Sequence, residues 1–92
     1  MTVKVRYSGQ ARTAADAAGE SLALDGAPGV PGLLRALAER HGEPLRAMLL
    51  DAAGALQPAL LVFVNDEQVP RGEAPALKDG DEVTIMAPIS GG

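Results

Sequence analysis

The sequence predicts an α+β domain, with a mixed sheet of four to five strands and one main helix packed on one face. Three observations predict it. Both ends of the chain alternate apolar and polar residues with a period of two, as strands do when they bury one face. In the middle, after a break rich in glycine and proline, the period changes to about 3.6. Apolar residues make up 47% of the 92-residue chain, enough for one core and for a single domain over 1–92.

The first element is a strand over Thr2–Tyr7, with Val3, Val5 and Tyr7 on one face and Thr2, Lys4 and Arg6 on the other. Ser8-Gly9 starts a turn. Ala11–Glu20 is small and alanine-rich, either a loose loop or a weak helical turn. Alternation resumes over Glu20–Asp25, where Leu22 and Leu24 share a side, so this segment reads as the hairpin partner of the first strand. "GAPGVPG" (Gly26–Gly32) then breaks the chain. Val30, Leu33, Leu34, Leu37 and Ala38 form one helical stripe, with Arg35, Glu39 and Arg40 facing away. Pro31 suits the first helical position, where its missing N–H has no intrahelical partner. Gly42 is a natural stop.

Glu43–Leu50 adds a short helix with Pro44 near its start, and Asp51–Pro58 is loop. Ala59–Asn65 is the strongest strand and is apolar on both faces: Leu60, Val62 and Val64 point one way, Leu61 and Phe63 the other. Asn65–Val69 carries turn chemistry, with Val69 beginning a brief return strand. Arg71–Glu82 is mostly turn, with Leu77 plugging the core and Asp79-Gly80 turning tightly. In the last strand Val83, Ile85 and Ala87 alternate with Thr84 and Met86, and Pro88 limits further pairing. The expected core is Val3, Val5, Leu33, Leu37, Val62, Val64, Val83 and Ile85.

Charge and composition exclude several functions. The net charge is −4 and the basic residues are scattered, which argues against nucleic acid as a partner. Asp66-Glu67 and Asp79, Asp81 and Glu82 cluster; they are either solvated turns or a docking surface for a basic partner. The absence of cysteine removes disulfides, thiolate catalysis and cysteine-rich metal sites, and fits a cytoplasmic protein. The N-terminus alternates from its start, with no signal-peptide or targeting stretch. Ala59–Val64, the longest apolar run, is far too short to span a membrane.

No catalytic constellation is visible. Ser8, Ser21 and Ser90 lack a histidine–acid setting. His41, the lone histidine, sits in the last turn of the main helix, where it favours the negative end of the dipole. The glycine-rich break lacks both the Walker pattern and GxGxxG. Asp79–Glu82 matches only a fragment of a calcium loop. No metal site and no bound cofactor are expected.

That leaves "MAPISGG" (Met86–Gly92). A terminal carboxylate has a pKa of roughly 3.5, is anionic at neutral pH, and becomes electrophilic only when activated, as in an acyl-adenylate. Glycine has no Cβ, so Gly91-Gly92 can follow a narrow channel into another enzyme. Glycine is also achiral, so its activated acyl group cannot racemise. The uncharged run from Ile85 to Gly92 desolvates cheaply. A frayed end is the alternative reading of the same residues.

"LKDGDEVTIMAPISGG" (Leu77–Gly92), "VFVNDEQV" (Val62–Val69) and "VRYSGQAR" (Val5–Arg12) resemble the small ubiquitin-like sulfur carriers. These comprise the small subunit of molybdopterin synthase, the thiamine-pathway carrier and the cysteine-forming carrier. The similarity covers nearly the whole chain and is weakest across residues 14–30. It implies a β-grasp fold; residues 88–92 are expected to form an extended tail, mobile when unbound, because Pro88 cannot donate to a ladder and Gly91-Gly92 have no side chains to anchor.

The resemblance also implies a mechanism. An E1-like enzyme adenylates Gly92 with ATP, sulfur replaces the adenylate, and the thiocarboxylate donates sulfide at a second enzyme, a synthase or its large subunit. Gly91 gives clearance; Pro88, Ile89 and Ser90 thread the partner's channel. The chain would then be a protein co-substrate rather than an enzyme, although it could be counted as the small subunit of a synthase. "DGDEV" and "PISGG" favour molybdopterin synthesis, although Ala87-Pro88 stands where many of those carriers have two prolines. The stretch Glu43–Asn65 and "VNDEQV" lean towards cysteine formation. Thiamine and sulfur-containing natural products are further alternatives, and a protein modifier forming isopeptide conjugates is an alternative of another class. On the uncovered sheet face Phe63, Thr84 and Met86 are the expected partner-binding residues, unless the loop Asp51–Pro58 folds over them.

Overall fold

The computed structural model describes residues 1–26, 29–70 and 72–87. Its elements in order are β1 (Thr2–Gly9), α1 (Gln10–Ala15), β2 (Gly19–Ala23), α2 (Val30–His41), α3 (Leu45–Leu49), β3 (Leu61–Val64), β4 (Glu67–Gln68) and β5 (Glu82–Ala87). They form one five-stranded sheet in the order β2-β1-β5-β3-β4. The β1–β5 pair is parallel and the other pairs are antiparallel, so the sheet is mixed, as the alternating segments and the single helical crossover predict.

The helical stripe read from the sequence is the buried face of α2: Val30, Leu33, Leu34, Leu37 and Ala38 are all buried. They meet Val3, Val5 and Tyr7 of β1, Val62 of β3, and Val83, Ile85 and Ala87 of β5 in one core. Leu45 and Leu49 of α3, the plug Leu77, and Ala11, Ala15, Leu22 and Leu50 complete it. Val64, expected in the core, is partly buried and packs against it. Area removed from water is the main favourable term holding the sheet and helix together.

Several boundaries move, each for a local reason. The helix starts at Val30 with Gly29 as its N-cap, so Pro31 takes the second helical position rather than the first. Gly42 stops α2 as expected; its φ is 67° and its N–H donates to Ala38 O at 2.8 Å. Residues 10–15 are helical, because Ala11 and Ala15, one turn apart, are buried on the same side. The return strand comes earlier than Val69. Asn65 (φ 50°) and Asp66 (φ 69°) are both left-handed, which makes the two-residue hairpin loop that matches strand twist, so Val64 pairs directly with Glu67. Val69 still donates its N–H to Val62 O at 2.8 Å.

The acids of the last third close turns. Asp79 Oδ1 accepts the Thr2 N–H at 2.7 Å, and the N–H of Gly80 (φ 87°) donates to Thr2 O at 2.8 Å. Asp81 accepts from the Lys78 N–H at 2.8 Å and from Asn65 Nδ2 at 2.9 Å. The Lys78 hydrogen bond, with that of Asn65 and the Lys78 charge behind it, holds the Asp81 carboxyl below its ordinary pKa against a small opposing effect of burial. These bonds tie the start of β1 to the entry of β5. No helix among the described residues is long and apolar enough to cross a membrane.

Candidate functional site: the open sheet face and the end of β5

Because α2 and α3 pack on one face, alternate residues of the same strands are left on the other. The register shows which ones share a row. Phe63 lies opposite Thr84 and Thr84 opposite Arg6; Leu61 lies opposite Met86 and Met86 opposite Ser8. Phe63, Thr84 and Met86, the three residues expected to bind a partner, are therefore brought together on adjacent strands. All three are half-buried and none belongs to the core. The loop over 51–58 is tied elsewhere. Gln57 Nε2 donates to Ala47 O at 3.0 Å and Leu50 O at 3.3 Å, and Leu56 packs against the core, so the loop belongs to α3.

The described chain ends at Ala87, on a strand in the middle of the sheet. Ala87 lies opposite Gly9 in the parallel ladder. That approach is close: a Cβ on Gly9, whose φ is 63°, would sit 2.6 Å from Ala87 O. Pro88, Ile89, Ser90, Gly91 and Gly92, the expected tail and reactive terminus, lie outside the described residues.

A second cluster escapes the sequence reading. Glu20 of β2 lies opposite Val5, so its side chain is on the helix-covered face. Its carboxylate accepts the Tyr7 O–H at 2.6 Å and the Arg40 Nε–H at 2.8 Å, and it pairs with His41 Nε2. Nε2 therefore carries the ring proton that points at Glu20. Burial disfavours the charged carboxylate, but the hydrogen bonds of Tyr7 and His41 and the charges of His41 and Arg40 outweigh it, and the Glu20 pKa is lowered. Burial, followed by the bond to Glu20 and its charge, raises that of Tyr7. The cluster docks the last turn of α2 against the β1–β2 hairpin. His41 is thus structural, as expected of a residue in that turn, though its partner is a carboxylate as well as the dipole. The available signal was Glu20 itself, a charged residue at the inward position two before Leu22.

An apolar cleft of about 360 Å3 lies between the start of α2 and the β3–β4 hairpin, lined by Val30, Leu56, Leu60, Val62 and Val69. Among the described residues its polar lining is Gln57, Gln68 and Glu73, which provide no nucleophile–base pair. No group of three or more His, Cys, Asp or Glu side chains among the described residues could hold a metal ion.

The ThiS family model matches residues 5–92. The molybdopterin synthase sulfur carrier subunit of Chlamydomonas reinhardtii is 35% identical, with 100% of each chain covered. Among solved structures, SAMP1 from Haloferax volcanii is 26% identical over 100% of both chains, with a TM-score of 0.85. A chain in the Amycolatopsis orientalis BexX/CysO complex is 30% identical, with 98% of this chain and 99% of that one covered and a TM-score of 0.69. The β-grasp, ubiquitin-like fold expected from the sequence is the fold of these neighbours.

Proposed function

The chain belongs to the ThiS family, and on that premise we propose that it is a sulfur carrier, a protein co-substrate whose reactive group is the carboxylate of Gly92. One observation carries the reading: the family match runs to residue 92, through the Gly91-Gly92 pair itself. An E1-like partner supplies ATP. A carboxylate oxygen of Gly92 attacks the α-phosphate, pyrophosphate leaves, and the acyl-adenylate forms. A sulfide-level donor then displaces AMP and leaves a thiocarboxylate. At a second enzyme the thiocarboxylate sulfur attacks an electrophilic carbon and displaces its leaving group; water cleaves the resulting thioester, releasing the thiolated product and restoring the carboxylate.

This chain's own contribution is presentation. The Gly9–Ala87 rung holds the end of β5 in the sheet, and Leu61, Phe63, Thr84 and Met86 form the face that docks beside it. Gly91 leaves room in the channel, and Pro88, Ile89 and Ser90 extend through it. Nucleotide and any metal belong to the activating partner. A cytoplasmic location fits the cysteine-free sequence.

Among pathways, the Chlamydomonas relative favours molybdopterin synthesis. The BexX/CysO neighbour keeps a cysteine-forming or natural-product carrier as the alternative. A second class of reading is favoured by the SAMP1 likeness, since a further Haloferax volcanii structure that matches this fold is named small archaeal modifier protein 1. A modifier would use the same adenylate but form an amide with a lysine.

Intact-mass measurement after incubation with the cognate activating enzyme, ATP and a sulfide donor separates the readings. A mass gain equal to sulfur replacing one oxygen supports the carrier; isopeptide conjugates in its place support the modifier. Deletion of Gly92 should abolish the gain and leave the fold intact. Undiminished conversion of the shortened chain would sink the mechanism.

A further inference from the structure

We propose that Lys4 and Arg6 form a basic lane on the open sheet face that selects an activating enzyme presenting carboxylates opposite it; the proposal rests on the carrier reading above. The argument starts from where the strand charges lie. Three acids occur on the five strands: Glu20, Glu67 and Glu82. Glu20 lies opposite Val5 and Glu67 opposite Val64, so both are on the helix-covered side. Only Glu82 shares the open face, opposite Lys4. Of the charged strand residues, the open face thus carries two bases, Lys4 and Arg6, against one acid, Glu82, in a chain of net charge −4.

The bases are available. The Arg6 side chain is 67% exposed and meets Glu82 only at 3.7 Å, a loose surface pair of little intrinsic worth. Lys4 is exposed and forms no ion pair among the described residues. Position then couples the lane to function. Arg6 lies opposite Thr84, three residues before Ala87, which at roughly 3.3 Å per residue places the lane about 10 Å from the last described rung. Arg6, Thr84 and Phe63 share one row of the ladder, so a partner that covers Phe63 and Thr84 has Arg6 on the next strand within its reach. The face therefore runs from apolar on β3 to basic on β1. A complement that is apolar opposite β3 and acidic opposite β1 fits it in one orientation, and a basic surface is rejected.

Pyrophosphate exchange with the cognate activating enzyme, with the carrier as the varied substrate, tests this. Arg6→Glu should raise the carrier's KM by roughly tenfold or more while kcat stays within about twofold, because the charge acts on encounter and docking rather than on adenylation. Arg35→Glu makes the same change in net charge on the exposed side of α2 and should leave KM unchanged. Arg6→Gln removes the charge without setting a carboxylate beside Glu82; it should raise KM by less, with an unchanged melting temperature. The KM of the unaltered chain should climb with added salt, and that of Arg6→Gln should climb less. If Arg6→Glu matches Arg35→Glu in KM, or if kcat falls while KM holds, the lane is not a selector. If the unaltered chain supports no exchange at all, the carrier reading fails instead.

Discussion

Along β5, Val83, Ile85 and Ala87 are buried while Glu82, Thr84 and Met86 keep part of their surface in water; along β1, Val3, Val5 and Tyr7 divide from Thr2, Lys4 and Arg6 in the same way. The two sets share strands, ladders and backbone geometry. Only the side of the pleat differs. The covered set is bound by close packing: each residue touches several others, and a lost methylene leaves a void. Among the described residues the open set is half-buried or exposed and lies outside the core, so its chemistry is freer to vary with what it meets. Its apolar members near the end of β5 and its basic members on β1 are the ones that the proposed docking would use.

The sharpest way to break this comparison uses two adjacent residues. Ile85 is fully buried and Met86 is half-buried on the opposite face. Ile85→Ala should destabilise the protein by about 2–5 kcal/mol. For a domain of this size that lowers the melting temperature by at least about 8 °C. Met86→Ala should cost about 1 kcal/mol or less. Thermal unfolding followed by circular dichroism reads both. Similar losses would mean that the open face is covered by something and that the division is wrong.

A smaller effect is expected on binding. Phe63→Ala removes the only phenylalanine, yet Phe63 lies outside the core. Stability should change little, whereas affinity for the activating enzyme should weaken by roughly 1–3 kcal/mol if Phe63 anchors the interface. Calorimetry with that enzyme decides it. A large drop in melting temperature with affinity intact would move Phe63 to the covered face.

How much of this could be read from the sequence depended on how strongly each feature marks its own period. The α2 stripe is carried by large residues at 3.6 spacing, and every member is buried. The faces of β1, β3 and β5 were legible because alternation alone assigns them. α1 was ambiguous because its buried residues are alanines, which pack by closeness rather than by bulk and leave little hydropathy signal. The start of β4 depended on two residues with positive φ, and neither of them is glycine. Of the Glu20 cluster, only the charged residue at an inward strand position was legible; its partners were not. It joins residues 21 and 34 positions from their partners in the chain, a matter of tertiary contact rather than local pattern. Of the candidate site, the shared open face of Phe63, Thr84 and Met86 was legible, whereas the tail's placement lies outside the described residues.

The smallest expected effect sharpens the comparison from an exception, the charged Glu20 enclosed on the covered face. The Glu20 side chain is only 15% exposed, and Tyr7, Arg40 and His41 donate to it. Its folded pKa lies below the ordinary value of 4.5. A carboxyl with a depressed folded pKa binds its proton more weakly when folded than when unfolded, so its contribution to stability is fully present above the ordinary carboxylate range. That contribution is lost as the pH falls from there through the folded pKa. Asp81 is lowered as well and adds to the same acid limb. Glu20→Gln should therefore reduce stability near neutrality and flatten the acid limb, so that the two proteins converge as the pH falls through the lowered folded pKa of Glu20. Asp81→Asn should remove a separate and smaller part, since its hydrogen bonds are at an exposed turn. Urea titrations at a series of pH values measure both limbs. If the limb of Glu20→Gln ran parallel to that of the unaltered protein, the clamp on α2 would owe nothing to the Glu20 charge, and the covered face would be apolar in its energetics throughout.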